Sequence, residues 1–499
     1  MAGARDHQGM QRADRARLGG LGWGWAALGG AGSVVMAVAG PGLVDRRTIV
    51  WWYTVRLPAG HAGAMTVFYV GMAALVAAWL GVGARLRHAD GARPGHLLAV
   101  GALWCVPLLA GPALFSGDSY SYLAQGMILH LGLSPYHDVP LVLARHGQAH
   151  LLAAVSPFWR GTTAPYGPLF LGISSVIEGA VGGTDLVLGV VLQRLVELAG
   201  VVLVAVSVPR LARGLGTDPC IATWLAVLSP LVLLELLAAG HNDALMTGLM
   251  VAGVTLALER RPMLAIALCA LGATVKAPSA VAVAFVALSW MREQPSRSAR
   301  IRVLLVSGAV ALGVFAAVSA ATGIGLAWLT PAVLSAPSKV HLAVTPSTAL
   351  GYTVGHVLAG LGAGMHTKAL EAGFAALSLV LTAVVVLVLL WRVRRESLVA
   401  SLAAVLLVSA FFGPATWPWY LTWGLALAAT LPAAQRSRLL AGAVALLAVE
   451  VKPDGILALP RESAPAVLLV YLLVAVTAWR LAGRSARVEI AASREAQQR

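Results

Sequence analysis

The sequence predicts an all-α polytopic membrane protein, and three observations carry that reading. Of 499 residues, 59% are hydrophobic and only 11% are charged, with a mean hydropathy of +0.81. A soluble domain carries about 25% charged residues, so this chain lacks the polar surface that water requires. Apolar runs of about 18 residues or more recur from one end to the other, each long enough for a membrane-crossing helix. The arginines gather in short segments between those runs, the placement that the positive-inside rule produces. That placement accounts for the net charge of +15, argues against nucleic acid as a partner and leaves membrane lipids as the surroundings. The three cysteines, Cys105, Cys220 and Cys269, lie scattered inside apolar runs. They read as small packing residues, not as disulfides or metal ligands.

Residues 1–20 are polar and carry Arg12, Arg15 and Arg17, which makes them a cytoplasmic N-terminal tail. The first apolar run, Leu21 to Val44, is long enough to stay in place as a signal anchor. A second run, 64–84, ends at the basic and therefore cytoplasmic "ARLRHADGARPGH". The third, 97–115, emerges outside, where residues 116–165 form an extracytoplasmic polar loop too long for a simple connector. Beyond it, "PRLARGLGTD" (209–218), "LERRP" (258–262), "WMREQPSRSARIR" (290–302), "WRVRRE" (391–396), "AAQRSR" (433–438) and the tail from Arg480 read as inside. "AGHNDA", "TVKAPS", "SAPSKVHLAVTPS", "GPATWPWY" and "EVKPDG" read as outside. All four lysines, Lys276, Lys339, Lys368 and Lys452, then fall outside. Two full crossings by 166–182 and 186–208 would put "RLARGLG" on the wrong side, so 166–182 is expected to be a short or half-inserted helix. "TVKAPS" divides 262–291 into two short helices. The total is about 14 spans between residues 21 and 481, with a cytoplasmic C-terminal tail at 482–499.

Ionisable groups within or beside spans are expensive and point to function by default. Asp118 follows Gly117 at the exit of the third run. It suits a helix N-cap, and it also shares one helix face with Tyr122 and Gln125, at i, i+4 and i+7. A carboxylate beside aromatic and amide groups at a lipid boundary can act as a general base towards a hydroxyl. His241, Asn242 and Asp243 end the run "LSPLVLLELLAAG" on the same outer side, where Asn-Asp is also a sufficient cap for the next helix. Glu235, inside that run, suits a hydrogen bond to a neighbouring helix. Arg194 and Glu197 lie three apart on one helix, spaced to pair, and Arg194 is alternatively a phosphate or carboxylate ligand. Lys276 sits at a helix break, where it either snorkels to water or holds an anionic headgroup. Lys339 and His341 read as solvated loop charges. "PATWPWYLTW" (414–423), with Trp419 and Tyr420, reads as an interfacial aromatic belt or as a platform for sugar rings. "GxGxxG" patterns such as "GLGWGW" lie in an apolar span with no strand before them and carry no nucleotide-binding signal.

The opening of the loop is more specific. "GDSYSYLAQGMILHLGLSPY", followed by "SPFWRGTTAPYGPLF", resembles the first extracytoplasmic loop of actinobacterial polyprenol-phosphomannose-dependent α-1,6-mannosyltransferases. "LQRLVEL", "SPLVLLELLAAGHNDALMTGL", "VKAPS" and "WPWYLTW" follow in the order expected of that family, so the resemblance spans about Leu109 to Ala429. It implies a GT-C-like bundle of integral-membrane glycosyltransferase type with a catalytic first loop. It also implies a polyprenyl-phosphate-mannose donor, a mannosylated lipoglycan acceptor of lipomannan type and an active site on the outer face of the plasma membrane. Asp118 matches the family's first-loop catalytic base. Some GT-C enzymes carry a paired acidic motif there; with Gly117 before Asp118, this chain is expected to need neither metal nor other cofactor. Arg194, Lys276 and His241 are the candidates for the donor phosphate. Tyr120, Tyr122, Gln125, Tyr166, Asn242, Asp243, Trp419 and Tyr420 are the candidates for substrate contact. The competing reading is a transporter or flippase for a lipid-linked sugar, with Arg194, Glu197, Glu235 and the break at Lys276 lining a pathway near the midplane. Against it stand the lack of an internal repeat and the gathering of polar residues at one surface.

Overall fold

The computed structural model describes residues 23–44, 51–55, 57–88, 92–330, 345–363, 366–413, 415–453, 455, 463–466 and 468–469. Both tails, Lys339 and His341 lie outside the described residues, so the expectations placed on them stop there. Helices make up the regular structure of the described residues, with no strand among them. Five helices are long and apolar enough to cross a membrane: Trp23–Gly42, Gly60–Leu86, Leu186–Gly214, Arg297–Thr322 and Thr367–Arg392. Seven shorter apolar helices of 10–17 residues accompany them. The chain divides into two compact units, with boundaries after residues 339, 385, 407, 416 and 458.

In the larger unit, α1 (Trp23–Ala39), α2 (Gly60–Leu86) and α3 (Pro94–Ala110) form the entry to the site. Tryptophans fasten them, because a buried indole must place its N–H on an acceptor. Trp104 of α3 donates to the Ala26 carbonyl of α1 at 2.9 Å. Trp79 of α2 stacks on Trp224 at 4.6 Å, and each indole donates to the other's backbone carbonyl, at 3.0 and 2.8 Å.

The segment 116–165, expected as a polar loop, opens as a helix, α4 (Asp118–His130), with ten of its 13 residues buried. Short helical turns at Pro140–His146, Ala149–Ala154 and Pro157–Arg160 follow. Leu143, Leu151 and Val155 from these turns close an apolar cluster with Tyr120, Leu123 and Met127 of α4. Apolar positions recurring three and four residues apart on a helix of mixed polarity therefore make the segment part of the bundle. Next come α5 (Pro168–Val181) and α6 (Leu186–Gly214). With 14 residues, α5 is about 21 Å long, short of a roughly 30 Å hydrocarbon core, as expected for 166–182.

After α7 (Pro219–Ala226) the chain forms a π-helix, Val232–Ala238, and then α8 (Asp243–Leu258). The run 262–291 breaks at "TVKAPS", as expected, into α9 (Pro262–Ala273) and α10 (Ser279–Arg292). The lengths of α8, α9 and α10 are 16, 12 and 14 residues. At 1.5 Å per residue they rise about 24, 18 and 21 Å.

These helices have two polar ends. At one, the arginine segments assigned to a common side meet one another. Arg210 grips Glu259 through both guanidinium edges, at 3.0 and 2.7 Å, and Arg395 reaches Glu293 at 3.4 Å. Arg292 caps the carbonyls of Leu390, Trp391 and Val393, and the side chain of Gln435 exchanges hydrogen bonds with the backbone of Asp218 at 3.1 and 2.9 Å. A cleft of about 780 Å³ opens here, with Arg87, His88, Asp218 and Arg436 in its lining. The N-terminus of α8, a full helix length away, lies at the other end.

Helix α6 crosses α8 with backbone against backbone. A Cβ added to Gly248 would stand 2.3 Å from the Gly200 carbonyl oxygen, and one added to Gly200 would stand 2.3 Å from Ala244. Small residues that let helices approach this closely are the usual device where lipid removes any hydrophobic drive to pack. Gly248→Val is therefore expected to lower stability by about 3 kcal/mol, read as a depressed Tm in detergent. An unchanged Tm would refute the close crossing.

In the smaller unit, Pro346–Gly360 starts with a capping box, the Thr345 hydroxyl accepting the Thr348 amide at 3.1 Å. It packs against the first turns of Thr367–Arg392, with Gly351 against the Glu371 backbone.

Candidate active site

Between α3 and α4 the chain turns sharply. Phe115 takes φ +69°, a left-handed conformation that costs a non-glycine residue about 1–3 kcal/mol. Its amide is held by the Pro453 carbonyl at 2.9 Å. This turn sets Asp118 as the first residue of α4, with Gly117 in the cap position and no side chain capping the helix. The capping role considered for Asp118 is therefore not the one it takes, and its carboxylate remains available. Oδ2 lies 3.5 Å from the Tyr122 hydroxyl, a contact looser than an ordinary O–H···O bond. The same oxygen lies 3.8 Å from His241 Nε2, and the Asp118 side chain is 16% exposed. Tyr122 is steadied by edge-on contacts with Tyr166 and Phe170 at 5.0 and 4.8 Å.

The π-helix delivers His241 to this carboxylate. A helix C-terminus leaves carbonyls without partners, and buried carbonyls need donors. Here every carbonyl from Leu234 to Ala239 finds one. Leu234 takes the Ala239 amide and Leu236 the His241 amide. Glu235 takes His241 Nδ1. Leu237 takes Arg194 Nε at 2.9 Å, Ala238 the Leu114 amide at 3.3 Å, and Ala239 the Ser119 hydroxyl at 3.3 Å. Three of these six donors come from α6 or from the chain around Asp118. A carbonyl only accepts, so Nδ1 must carry the proton. In the neutral ring the Nε2 lone pair then faces the Asp118 carboxylate, a pairing that leaves room for one shared proton. Burial pushes the His241 ring below its ordinary value, against the pull of Asp118 and Asp243. The ring stacks on Trp419 at 3.9 Å, and Trp419 stacks on Trp417 at 4.7 Å.

Beside this pair lies a second charge cluster. Lys276, in the break between α9 and α10, donates to both oxygens of Asp243 at 2.9 Å. Trp423 Nε1 donates to Asp243 Oδ1 at 2.6 Å. The ammonium sits 4.6 Å from the Tyr420 ring and 5.7 Å from the Trp423 ring, within cation–π range. Two of its three N–H bonds face Asp243, and the third has no protein acceptor among the described residues.

Asp118, Tyr122, Tyr166, His241, Asp243, Lys276, Trp419 and Tyr420, which the sequence proposes from five separate segments, thus stand together. The other candidates are placed differently. Arg194, a candidate phosphate ligand, is fully buried and spends its guanidinium on the carbonyls of Leu108, Gly111 and Leu237. It makes no ion pair with Glu197, whose carboxylate bonds Gln193 at 3.3 Å instead. His241 aims Nε2 at the Asp118 carboxylate, 3.8 Å away. Tyr120 points away from Asp118 into the apolar cluster. Asp243 is fully buried, its carboxylate bonded by Lys276 and Trp423. Gln125 and Asn242 are buried, with the Gln125 Oε1 and both side-chain polar atoms of Asn242 lacking partners among the described residues. Trp417 and Trp423 are participants that the belt reading left unassigned. The tight spacing of rings in "WPWYLTW" was the signal for them.

Comparison with known proteins shows the family. Residues 16–292 match the family described as alpha-(1->6)-mannopyranosyltransferase, N-terminal domain, and residues 347–483 match the MptB C-terminal domain. The chain is 35% identical to alpha-(1->6)-mannopyranosyltransferase A of Mycobacterium tuberculosis over 87% of its own length and 85% of the relative's. It is 30% identical to alpha-(1->6)-mannopyranosyltransferase A of Corynebacterium glutamicum, over 73% and 78% of the two chains. No solved structure matches.

Proposed function

This chain belongs to the α-(1→6)-mannopyranosyltransferase family and is a mannosyltransferase of membrane type; from that premise we propose that it transfers mannose from polyprenyl-phosphate-mannose to the 6-hydroxyl of a mannan acceptor at the outer face of the plasma membrane. The fold is then a GT-C-like bundle of about 14 spans. The observation that carries the reading is Asp118: a part-exposed carboxylate, free of capping duty, beside an imidazole and a lysine at the end of the bundle remote from the arginine loops.

The mechanism follows from the bonds. The C1–O bond to phosphate breaks, the bond from acceptor O6 to C1 forms on the opposite face, and a β-linked donor yields an α linkage. Asp118 takes the O6 proton, a contribution of about 10²–10⁴-fold. His241 Nε2, facing Asp118, shares it. The leaving group is already an anionic phosphate, so no general acid is needed. The third N–H of Lys276 is the cationic donor available to the charge that phosphate gains. Aromatic faces of Trp417 and Tyr420 offer platforms for sugar rings. Against the transporter reading, Arg194, Glu197 and Glu235 are all fully buried.

The test is reconstitution. Purified protein given polyprenyl-phosphate-mannose and a short α-1,6-mannoside should extend it by 1→6 linked mannose, and give none from a nucleotide-linked mannose. Extension from the nucleotide donor alone would overturn the proposal.

A further inference from the structure

Resting on that reading, we propose that Arg194 is a positioning residue: its guanidinium sets the reach between Asp118 and His241 by clasping the two backbone segments that carry them. Its partners fall on those two segments. Nη1 and Nη2 donate to Gly111 and Leu108, 83 and 86 residues away, at 2.7 and 2.5 Å. Nε donates to Leu237, 43 residues away, at 2.9 Å. Gly111 lies seven residues before Asp118, and Leu237 four before His241. Arg194 thus bridges the end of α3 to the end of the π-helix.

An unpaired charge inside a membrane protein is costly, and no carboxylate stands within ion-pair range of Arg194 among the described residues. A neutral side chain would carry hydrogen bonds to carbonyls at lower cost. What it would lack is the planar fork, five N–H groups in fixed directions, which reaches three acceptors on two segments at once. The contacts further along depend on that bridge. The Leu114 amide to Ala238 and the Ser119 hydroxyl to Ala239 join the same two segments one step nearer the site. Gly240, at φ +77°, passes so close that an added Cβ would lie 2.5 Å from Ser119 Oγ and 3.1 Å from Arg194 Cγ. The same turn of α6 also ties down the neighbouring elements. Gln193 accepts from Ser174 of α5 at 3.1 Å and donates to Glu197 at 3.3 Å.

Arg194→Lys keeps the charge and loses the fork, so it separates positioning from electrostatics. Turnover is expected to fall tenfold or more, with the KM for polyprenyl-phosphate-mannose within twofold of the parent. In hydrogen exchange, the Leu114 amide should exchange at least tenfold faster, while that of Ala222 at the arginine end stays unchanged. A folded variant with parental exchange at Leu114, or one whose KM rises at constant kcat, overturns the proposal. Ser119→Ala serves if the lysine variant does not fold: kcat about threefold lower at unchanged Tm is expected, and an unchanged kcat counts against it. Exchange needs no substrate. Faster exchange at Leu114 in a protein whose parent transfers nothing from the lipid donor would therefore sink the functional reading and leave the positioning intact.

Discussion

Asp118→Asn is expected to reduce kcat by about 10²–10⁴-fold while leaving the Tm and the donor KM close to the parent's. The carboxamide is nearly isosteric, so it keeps its place between Tyr122 and His241, and among the described residues no lysine or arginine loses an ion-pair partner. What disappears is the only function assigned to it, acceptance of the proton from the acceptor hydroxyl. A 10²–10⁴-fold loss corresponds to about 2.7–5.5 kcal/mol of transition-state stabilisation. Single-turnover transfer with excess donor and acceptor measures it directly. A variant that keeps more than a tenth of the parental rate would mean that the base lies elsewhere.

The second large effect concerns stability. Lys276→Met removes the cation from a carboxylate that is fully buried and leaves Asp243 with the Trp423 indole as its hydrogen-bond donor. Breaking one side of a buried pair typically costs about 3–5 kcal/mol, because the remaining charge is left uncompensated. A protein of ordinary stability has only about 5–15 kcal/mol to lose. The single variant should therefore unfold far below the parent in a thermal melt. Lys276→Met combined with Asp243→Asn should recover most of the loss, since both charges are then gone. Equal destabilisation in the single and double variants would show that the pair is not the cause.

Much of this arrangement was legible in the chain, and the exceptions share a cause. Apolar run length revealed the helices, and the break at Lys276 was plain because proline and a charge interrupt an otherwise continuous run. Asp118, His241, Lys276 and Trp419 could be grouped from the sequence because each ends an apolar run on the side remote from the arginines, and the fold brings them together. The contacts of Arg194 are not legible in the sequence, because spacing rules see only a helix's own neighbours. Its acceptors are carbonyls 43 to 86 residues distant, and backbone acceptors leave no mark on composition. Tyr120 was a different failure: two residues from Tyr122 is about 200° around a helix, so the two tyrosines had to face opposite ways. The π-helix had no sequence signal, being stabilised by donors that arrive from elsewhere in the fold.

The shortness of α8, α9 and α10 has one more consequence. Helices of about 18–24 Å that start at one water boundary stop about 6–12 Å short of the other, because the hydrocarbon layer is about 30 Å deep. On the orientation proposed above, the reacting groups stand at the floor of a depression in the outer leaflet. A sugar tethered to a lipid phosphate then need not climb into water to react; the incoming glycan has to reach down, shedding hydration as it goes.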